Sequence, residues 1–283
     1  MVKEILSYKT IEKFAFDCTL LSPAIGLEVR GLKLDRPFDG TALTDIKAAF
    51  HRHHVLVIRD QDLSSEQQIA FAEQMGEPDI YPFATGIDGF PVITPVVKER
   101  NQTRNFGGVW HSDTTYMERP PAATMLLARD VPPVGGDTLF ASQVSAYEAL
   151  SDGMKALLAP LRAINSSTKA NFVRTSMSDD PDAQAFTAVH PVVRTHPETG
   201  TKALYVNPGH TVRFEGMSEA ESAPILEFLF EHQKQENFTC RVRWEVGSLV
   251  IWDNRASLHF PLNDYQGHRR EMHRITLKGD VPV

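Results

Sequence analysis

The chain has little cysteine: Cys18 and Cys240 are the only two in 283 residues. They form no CxxC pair, which argues against a disulfide framework and against a thiolate metal centre, and both read as small buried hydrophobes. No apolar run approaches the roughly 20 residues of a membrane-spanning helix, and "MVKEILSYKT" lacks the apolar stretch of a signal peptide, so neither a membrane partner nor export is expected. A cytoplasmic location follows from that reading. Basic residues are outnumbered, 29 Lys and Arg against 36 Asp and Glu, for a net charge of −7. This balance argues against a broad cationic face for nucleic acid and leaves room for a local anion site. Repeats, low-complexity tracts and long Gly, Ser or Pro linkers are also lacking, so the sequence reads as one continuous domain over 1–283.

What is present is ordinary globular composition, 42% hydrophobic and 23% charged, enough for a sizeable core. Helices are expected over "TALTDIKAAFHRHH", where Leu43, Ile46 and Phe50 share a stripe, and over "SSEQQIAFAEQMG", from a serine cap to Gly76. "SQVSAYEALSDGMKALL" reads as two short helices meeting near Ser151. "MSEAESAPILEFLFEHQ" has Ser218 and Glu221 at capping-box spacing, with Pro224 expected in its first turn. Strands are expected at "HHVLVIRD", "FPVITPV", "ATMLLARD", "DTLFA", "ALYVN", "FTCRVRWEV", "SLVIWD" and "MHRITLKG". Helices before the first strands and between the middle ones suit a β-rich fold with flanking helices, a sandwich or barrel.

Two His-x-acid pairs occur, His111/Asp113 and His196/Glu198, where chance pairing predicts about one. "THPETG" around His196 reads as a hairpin turn, which makes His196 a surface residue. His111 and Asp113, in "VWHSDTTY", lie in a stretch that can be extended, where residues i and i+2 share a face. Iron(II) held by two histidines and a carboxylate needs a third ligand. Among the nine remaining histidines His259 is favoured, because it follows the apolar strand in "SLVIWDNRASLH". On the residues alone, a metal site and a hydrogen-bonded structural histidine both stand.

Downstream, "GHRREMHR" carries three arginines and two histidines in eight positions. In a strand, Arg270, Met272 and Arg274 share one face, while Arg269, Glu271 and His273 share the other. Two guanidiniums facing an interior would pair with carboxylate or sulfonate. The alternative is a solvated basic strand.

Three segments carry a resemblance: "WHSDTTYMERPPAATMLLARDVPPVGGDTLFAS", "HPVVRTHPETGTKALYVN" and "WDNRASLHFPLNDYQGHRREMHRITLKGD". In their residues, order and spacing the chain resembles the taurine dioxygenase (TauD/TfdA) family of Fe(II)- and 2-oxoglutarate-dependent dioxygenases. The resemblance implies a double-stranded β-helix, or jelly roll, with Fe(II) bound by His111, Asp113 and His259. It also implies that 2-oxoglutarate chelates the iron, with its distal carboxylate on Arg270 and Thr138, the latter after the turn "GGD". Oxygen and a substrate C–H bond are then consumed with release of succinate and CO2. A homodimer or homotetramer is common in the family.

The resemblance further implies that Arg274 grips an anionic head and that Tyr81 lines the substrate pocket. Four other pocket positions depart from the taurine-cleaving pattern: a histidine is missing near Pro78, Gly107 replaces an asparagine, and Asn171 and His210 stand where phenylalanines are expected, with Phe172 beside the former. Gly107 reads either as pocket space or as a turn glycine, and His210 as a substrate donor or a loop histidine. Taurine itself is therefore disfavoured. The substrate expected is a larger anion: a sulfonate, an alkyl sulfate or an aryloxyalkanoate. The same ligands also serve desaturation or cyclisation, and a non-catalytic jelly-roll binding protein is the competing class, against which Arg270 and Thr138 speak. Tyr116, His190, Arg255 and His273 are read as structural, and the polar stretches 84–108 and 165–184 as mobile loops over the site.

Overall fold

The protein is described by a computed structural model over residues 14–105, 107–169 and 185–283. Its centre is an eight-stranded sheet in the order Asp17–Leu20, Leu27–Arg30, Val55–Ile58, Leu249–Asp253, Ala123–Asp130, Arg270–Leu277 and Pro78–Asp79, with Thr94–Lys98 also paired to Arg270–Leu277. Every pairing is antiparallel except that of Leu27–Arg30 with Val55–Ile58. Alternation sorts the side chains. Leu56, Ile58, Met125, Leu127, Leu249, Ile251, Ile275 and Leu277 meet Ile46, Phe50, Phe71 and Ala72 of the helices Gly40–His53 and Ser65–Met75 in one apolar cluster. The intervening residues, Val55, Val57, Ala128, Val250, Trp252 and Met272, cluster on the other face with Phe140, Cys240, Val242 and Trp244.

Phe140, Cys240 and Val242 belong to a second, three-stranded sheet, Thr239–Val242, Thr138–Ser142 and Ser257–Pro261, which covers the inner face of the first. The result is a β-rich jelly roll with flanking helices. Phe140 is wholly buried between the layers, and such a ring contributes about 1.5–3 kcal/mol by leaving water. A third sheet, Thr211–Phe214, Arg162–Ser166 and Thr187–Pro191, packs with the helices Gln143–Glu148, Asp152–Leu158 and Glu219–Gln233.

Several elements differ from expectation. The strands at 17–20 and 27–30 precede the first helix, and those at 162–166, 187–191 and 211–214 are polar enough to pass for loops. Pro224 lies inside the helix Glu219–Gln233, past its first turn. Only the Ala220 carbonyl loses its in-helix donor there, and Ala220 is exposed to water. The 84–108 stretch contains the strand Thr94–Lys98 and a bridge between Ile87 and Phe90. In the other presumed loop, residues 170–184, including Asn171 and Phe172, fall outside the described residues.

"THPETG" does form the turn between the hairpin strands Val193–Thr195 and Lys202–Leu204. His196, expected at the surface, is instead fully buried. Its Nε2 sits 2.9 Å from Asp253 Oδ2, at the end of the central strand. Asp253 also accepts two 2.8 Å bonds from Arg255, which holds the strand end together with Glu198. A buried carboxylate needs such partners, and they pull the turn inward.

Candidate active site

His111 and His259 are brought together by an isolated antiparallel bridge with reciprocal backbone hydrogen bonds, 3.0 and 2.8 Å long. Their ring centres are 4.1 Å apart. His259 does not continue the strand Leu249–Asp253; it sits after a turn, in Ser257–Pro261 of the smaller sheet. The chain after His111 is likewise not an extended strand. It enters a turn in which Thr114 has φ +42°, and that turn swings the Asp113 carboxylate toward the imidazoles. Asp113 Oδ1 lies 3.8 Å from His111 Nε2 and 3.9 Å from His259 Nε2. Both gaps are below the about 4.2 Å that two metal–ligand bonds of about 2.1 Å can span.

The protonation states suit a cation. Burial depresses both imidazoles, His259 strongly, so both are neutral with lone pairs available. The His111 tautomer follows from geometry, because Nδ1 is 2.7 Å from the Val109 carbonyl and therefore carries the proton, leaving Nε2 bare. Burial alone would raise the Asp113 carboxyl, but the Arg274 guanidinium and the Thr124 hydroxyl outweigh it and hold the group well below the usual carboxylate range. Two neutral imidazoles and one carboxylate form the donor set suited to non-haem iron, and the three ligand atoms lie within 4.8 Å of one another.

Residues behind this triad aim it. Thr124 Oγ1 donates to Asp113 Oδ2 at 2.6 Å and itself accepts from Asn254 Nδ2 at 2.9 Å. Asn254 Oδ1 accepts from Trp252 Nε1 at 3.0 Å, and Ser112 Oγ donates to the Asn254 carbonyl at 2.6 Å. The carboxylate is thereby turned so that Oδ1 faces the histidines. Neither Thr124 nor Asn254 stands out in the sequence. Only the pairing of Ala123–Asp130 with Leu249–Asp253, which Asn254 directly follows, places them behind Asp113.

The cleft next to the triad has Val96, Leu126, Trp252 and Pro261 among its apolar walls and Gly107 at its edge. Gly107 is a turn glycine and a cleft residue at once. Its φ is +91°, and a Cβ there would come within 2.9 Å of Pro261 Cγ and 3.1 Å of His111 Cε1. Arg270 and Arg274 both enter the cleft from the inner face of the sheet, with Met272 between them buried on the same side. His273 points away, beside Arg129 and Glu271.

The arginines differ in company. Among the described residues Arg270 Nε has no hydrogen-bond partner. Its guanidinium lies 5.4 Å from the Trp244 ring, and burial lowers it to about 10. Trp244 Nε1 also donates to Thr138 Oγ1 at 3.0 Å, which leaves the Thr138 hydroxyl proton free to donate into the cleft. A buried cation and a hydroxyl donor on one wall fit a carboxylate. Arg274 lies 3.1 Å from Asp113 Oδ2, and its guanidinium carbon is 4.4 Å from the Tyr81 ring centre.

His210, considered as a substrate donor, is buried and depressed to about 3 by desolvation. It hydrogen-bonds with Thr115 Oγ1 at 3.0 Å and with the Ser112 backbone, and so braces the turn that carries Asp113. Tyr116, read as structural, has its ring 4.9 Å from that of His210 and its hydroxyl beside that of Tyr81.

A jelly roll with a two-histidine, one-carboxylate cluster and a basic cleft beside it defines the class: a non-haem iron oxygenase fold. The match to the model of the taurine catabolism dioxygenase TauD, TfdA family runs over residues 17–276, and the chain belongs to that family. It is similar to an alpha-ketoglutarate-dependent sulfate ester dioxygenase of Pseudomonas putida, 36% identical over 273 residues, covering 92% of this chain and 88% of that one. A 2,4-dichlorophenoxyacetate dioxygenase of Cupriavidus pinatubonensis is 34% identical over 93% of this chain and 98% of its own. Among solved structures, a taurine dioxygenase from Burkholderia xenovorans superposes with a TM-score of 0.82 at 36% identity, over 95% of this chain and 92% of that one. AAD-2, solved with Mn(II) and N-oxalylglycine, superposes with a TM-score of 0.80 at 29% identity over 95% and 99%. The chain is thus an enzyme of the class that uses Fe(II), 2-oxoglutarate and O2.

Proposed function

We propose that the protein oxidises a C–H bond of a small organic anion of the sulfonate, alkyl sulfate or aryloxyalkanoate type, with His111, Asp113 and His259 holding Fe(II). The carrying observation is the convergence of these three donors beside a cleft that also contains Arg270, Arg274 and Thr138. Bound there, Fe(II) and 2-oxoglutarate would supply oxygen activation coupled to decarboxylation to succinate and CO2.

The chain's own residues do the rest. Asp113 supplies a negative charge as well as a ligand, and Thr124 and Asn254 keep it aimed. Arg270 and Thr138 hold the distal carboxylate of 2-oxoglutarate, oriented by Trp244. Val96, Leu126 and Trp252 keep bulk water from the reacting atoms. Arg274 and Tyr81 hold the substrate anion so that its target carbon faces the metal. Gly107 leaves room for the substrate body, and His210 supports the turn behind His111.

An anaerobic absorption titration with Fe(II) and then 2-oxoglutarate tests the assignment. A visible charge-transfer band that needs both additions, and is lost or weakened in Arg270→Ala and His259→Ala, is the expected result. No band in folded, iron-loaded protein would return the chain to the binding-protein reading. Products from a panel of sulfonates, sulfates and phenoxyacids would then separate hydroxylation from desaturation or cyclisation.

We further propose that residues 1–283 form one dioxygenase domain, supported by the span of the family match. A homodimer or homotetramer is also proposed: Leu157 and Phe228, on two helices of the same cluster, are 46% and 47% exposed, and sedimentation would show it. No described helix is long and apolar enough to cross a membrane. A cytoplasmic site is supported by two free cysteines and by dependence on 2-oxoglutarate, an intracellular metabolite.

A further inference from the structure

Arg270 has a second cation beside it. Lys98 ends the strand Thr94–Lys98 and stands directly opposite Arg270 in the antiparallel register, so the two side chains rise from the same face of the sheet. Lys98 is 4% exposed and Arg270 7%. The one acid among the described residues that bears on Arg270, Asp137, is itself paired with Arg241 at 2.6 Å. No described acid bears on Lys98. Like charges opposite one another repel, and a buried pair without a counter-ion calls for an anion from outside.

Tyr265 stands beside both cations. Lys98 Nζ lies 4.0 Å from the centre of its buried ring. A Cβ at Gly136 would come within 3.2 Å of that ring and 3.5 Å of Arg270 Cδ, which puts the ring alongside the arginine stem. The ammonium also donates to Asn263 Oδ1 at 2.8 Å and to Gln266 Oε1 at 3.4 Å, one on each side of Tyr265 in the chain. The same loop holds the other half of the anchor. Asp264 Oδ1 accepts from the Gly136 amide at 2.7 Å, and the Leu262 amide donates to the Asp137 carbonyl at 2.8 Å, just before Thr138. Lys98 thus fastens a loop that rests on Arg270 and on the turn leading into Thr138. A methionine at 98 would fill nearly the same volume without burying an ammonium, so packing does not account for the charge.

We propose that Lys98 is a positioning residue for 2-oxoglutarate: its ammonium holds Tyr265 and residues 262–266 against Arg270 and the turn before Thr138, and adds a second positive charge behind the seat of the distal carboxylate. This inference rests on the dioxygenase reading and adds a residue to its co-substrate site.

Anaerobic titration of the Fe(II)-loaded protein with 2-oxoglutarate, read by its visible band, tests this in the wild type, Lys98→Met and Lys98→Arg, with Fe(II) affinity measured beforehand by calorimetry. Lys98→Met should weaken 2-oxoglutarate binding about five- to tenfold, the effect of losing a cation–π contact together with charge-assisted hydrogen bonds. Fe(II) affinity should stay within about twofold, since all three metal ligands are intact. Lys98→Arg, which returns a cation to the Tyr265 ring, should bring 2-oxoglutarate affinity back to within about threefold of the wild type. Equal losses for Fe(II) and 2-oxoglutarate, no loss for either, or an arginine that restores nothing overturns the inference. Should Lys98→Met not fold, Asn263→Ala, at an exposed position, decides it: a loosened ammonium should weaken 2-oxoglutarate about threefold, and unchanged affinity overturns the inference. Intact 2-oxoglutarate binding that is indifferent to residue 98 overturns only this inference, whereas wild-type protein that takes up no 2-oxoglutarate overturns both readings.

Discussion

Replacing Trp244 by phenylalanine separates an anchor-positioning role from a packing role. The indole does two things that a phenyl ring divides: it donates Nε1–H to Thr138 Oγ1 at 3.0 Å and lies 5.4 Å from the Arg270 guanidinium. Phenylalanine keeps an aromatic face for Arg270 and removes the donor. The Thr138 hydroxyl then loses the bond that directs its proton into the cleft. One neutral hydrogen bond is worth about 0.5–1.5 kcal/mol, so 2-oxoglutarate affinity should fall by about three- to tenfold. Trp244 also packs with Phe140 and Val242, and the smaller ring should cost about 1 kcal/mol or more of stability. Affinity is read by anaerobic titration of the absorption band with 2-oxoglutarate, and stability by urea unfolding. A lowered unfolding midpoint with unchanged 2-oxoglutarate affinity would refute the reasoning and leave Trp244 a core residue.

Asp113→Ala removes one metal ligand and the carboxylate beside Arg274, and substrate-coupled succinate formation should vanish; retained succinate would count against the triad. Gly107→Ala forces a side chain into φ +91° and to within 2.9 Å of Pro261 Cγ, with an expected cost of about 1–3 kcal/mol in urea unfolding; a wild-type midpoint would show that the turn relaxes freely. The Cys240 thiol is pushed up from 9.0 to about 12 by burial. Its folded state favours the protonated form, so this stabilisation is complete below pH 9.0 and is lost as pH rises toward about 12. Native protein at pH 8 should leave Cys240 unmodified by iodoacetamide, with labelling only after unfolding, as peptide mapping would show.

Much of the scaffold was legible because its signals are local. "ATMLLARD" is a strand over its whole length, and the serine caps of the helices at 65–75 and 219–233 hold their capping boxes. Arg270, Met272 and Arg274 share a buried face because side chains alternate along any strand. The misreadings have a common origin. His196 lies in the expected hairpin, yet Asp253, far along the chain, decides that it is buried. The stretch after His111, readable as extended, turns at Thr114, where Asn254 and His210 hold it from remote parts of the chain.

The amino-acid sequence by itself determined the family, the alternation that turns two arginines inward, and the residue types from which a metal site can be built. Only the tertiary structure decided how those residues act together. The bridge between His111 and His259, the turn that carries Asp113 to them, and the relay through Asn254 and Thr124 each join segments remote in sequence. Periodicity is a property of neighbouring residues and can be read along the chain. Convergence depends on which strands pair and in what register, and that is settled by the burial of the whole sandwich.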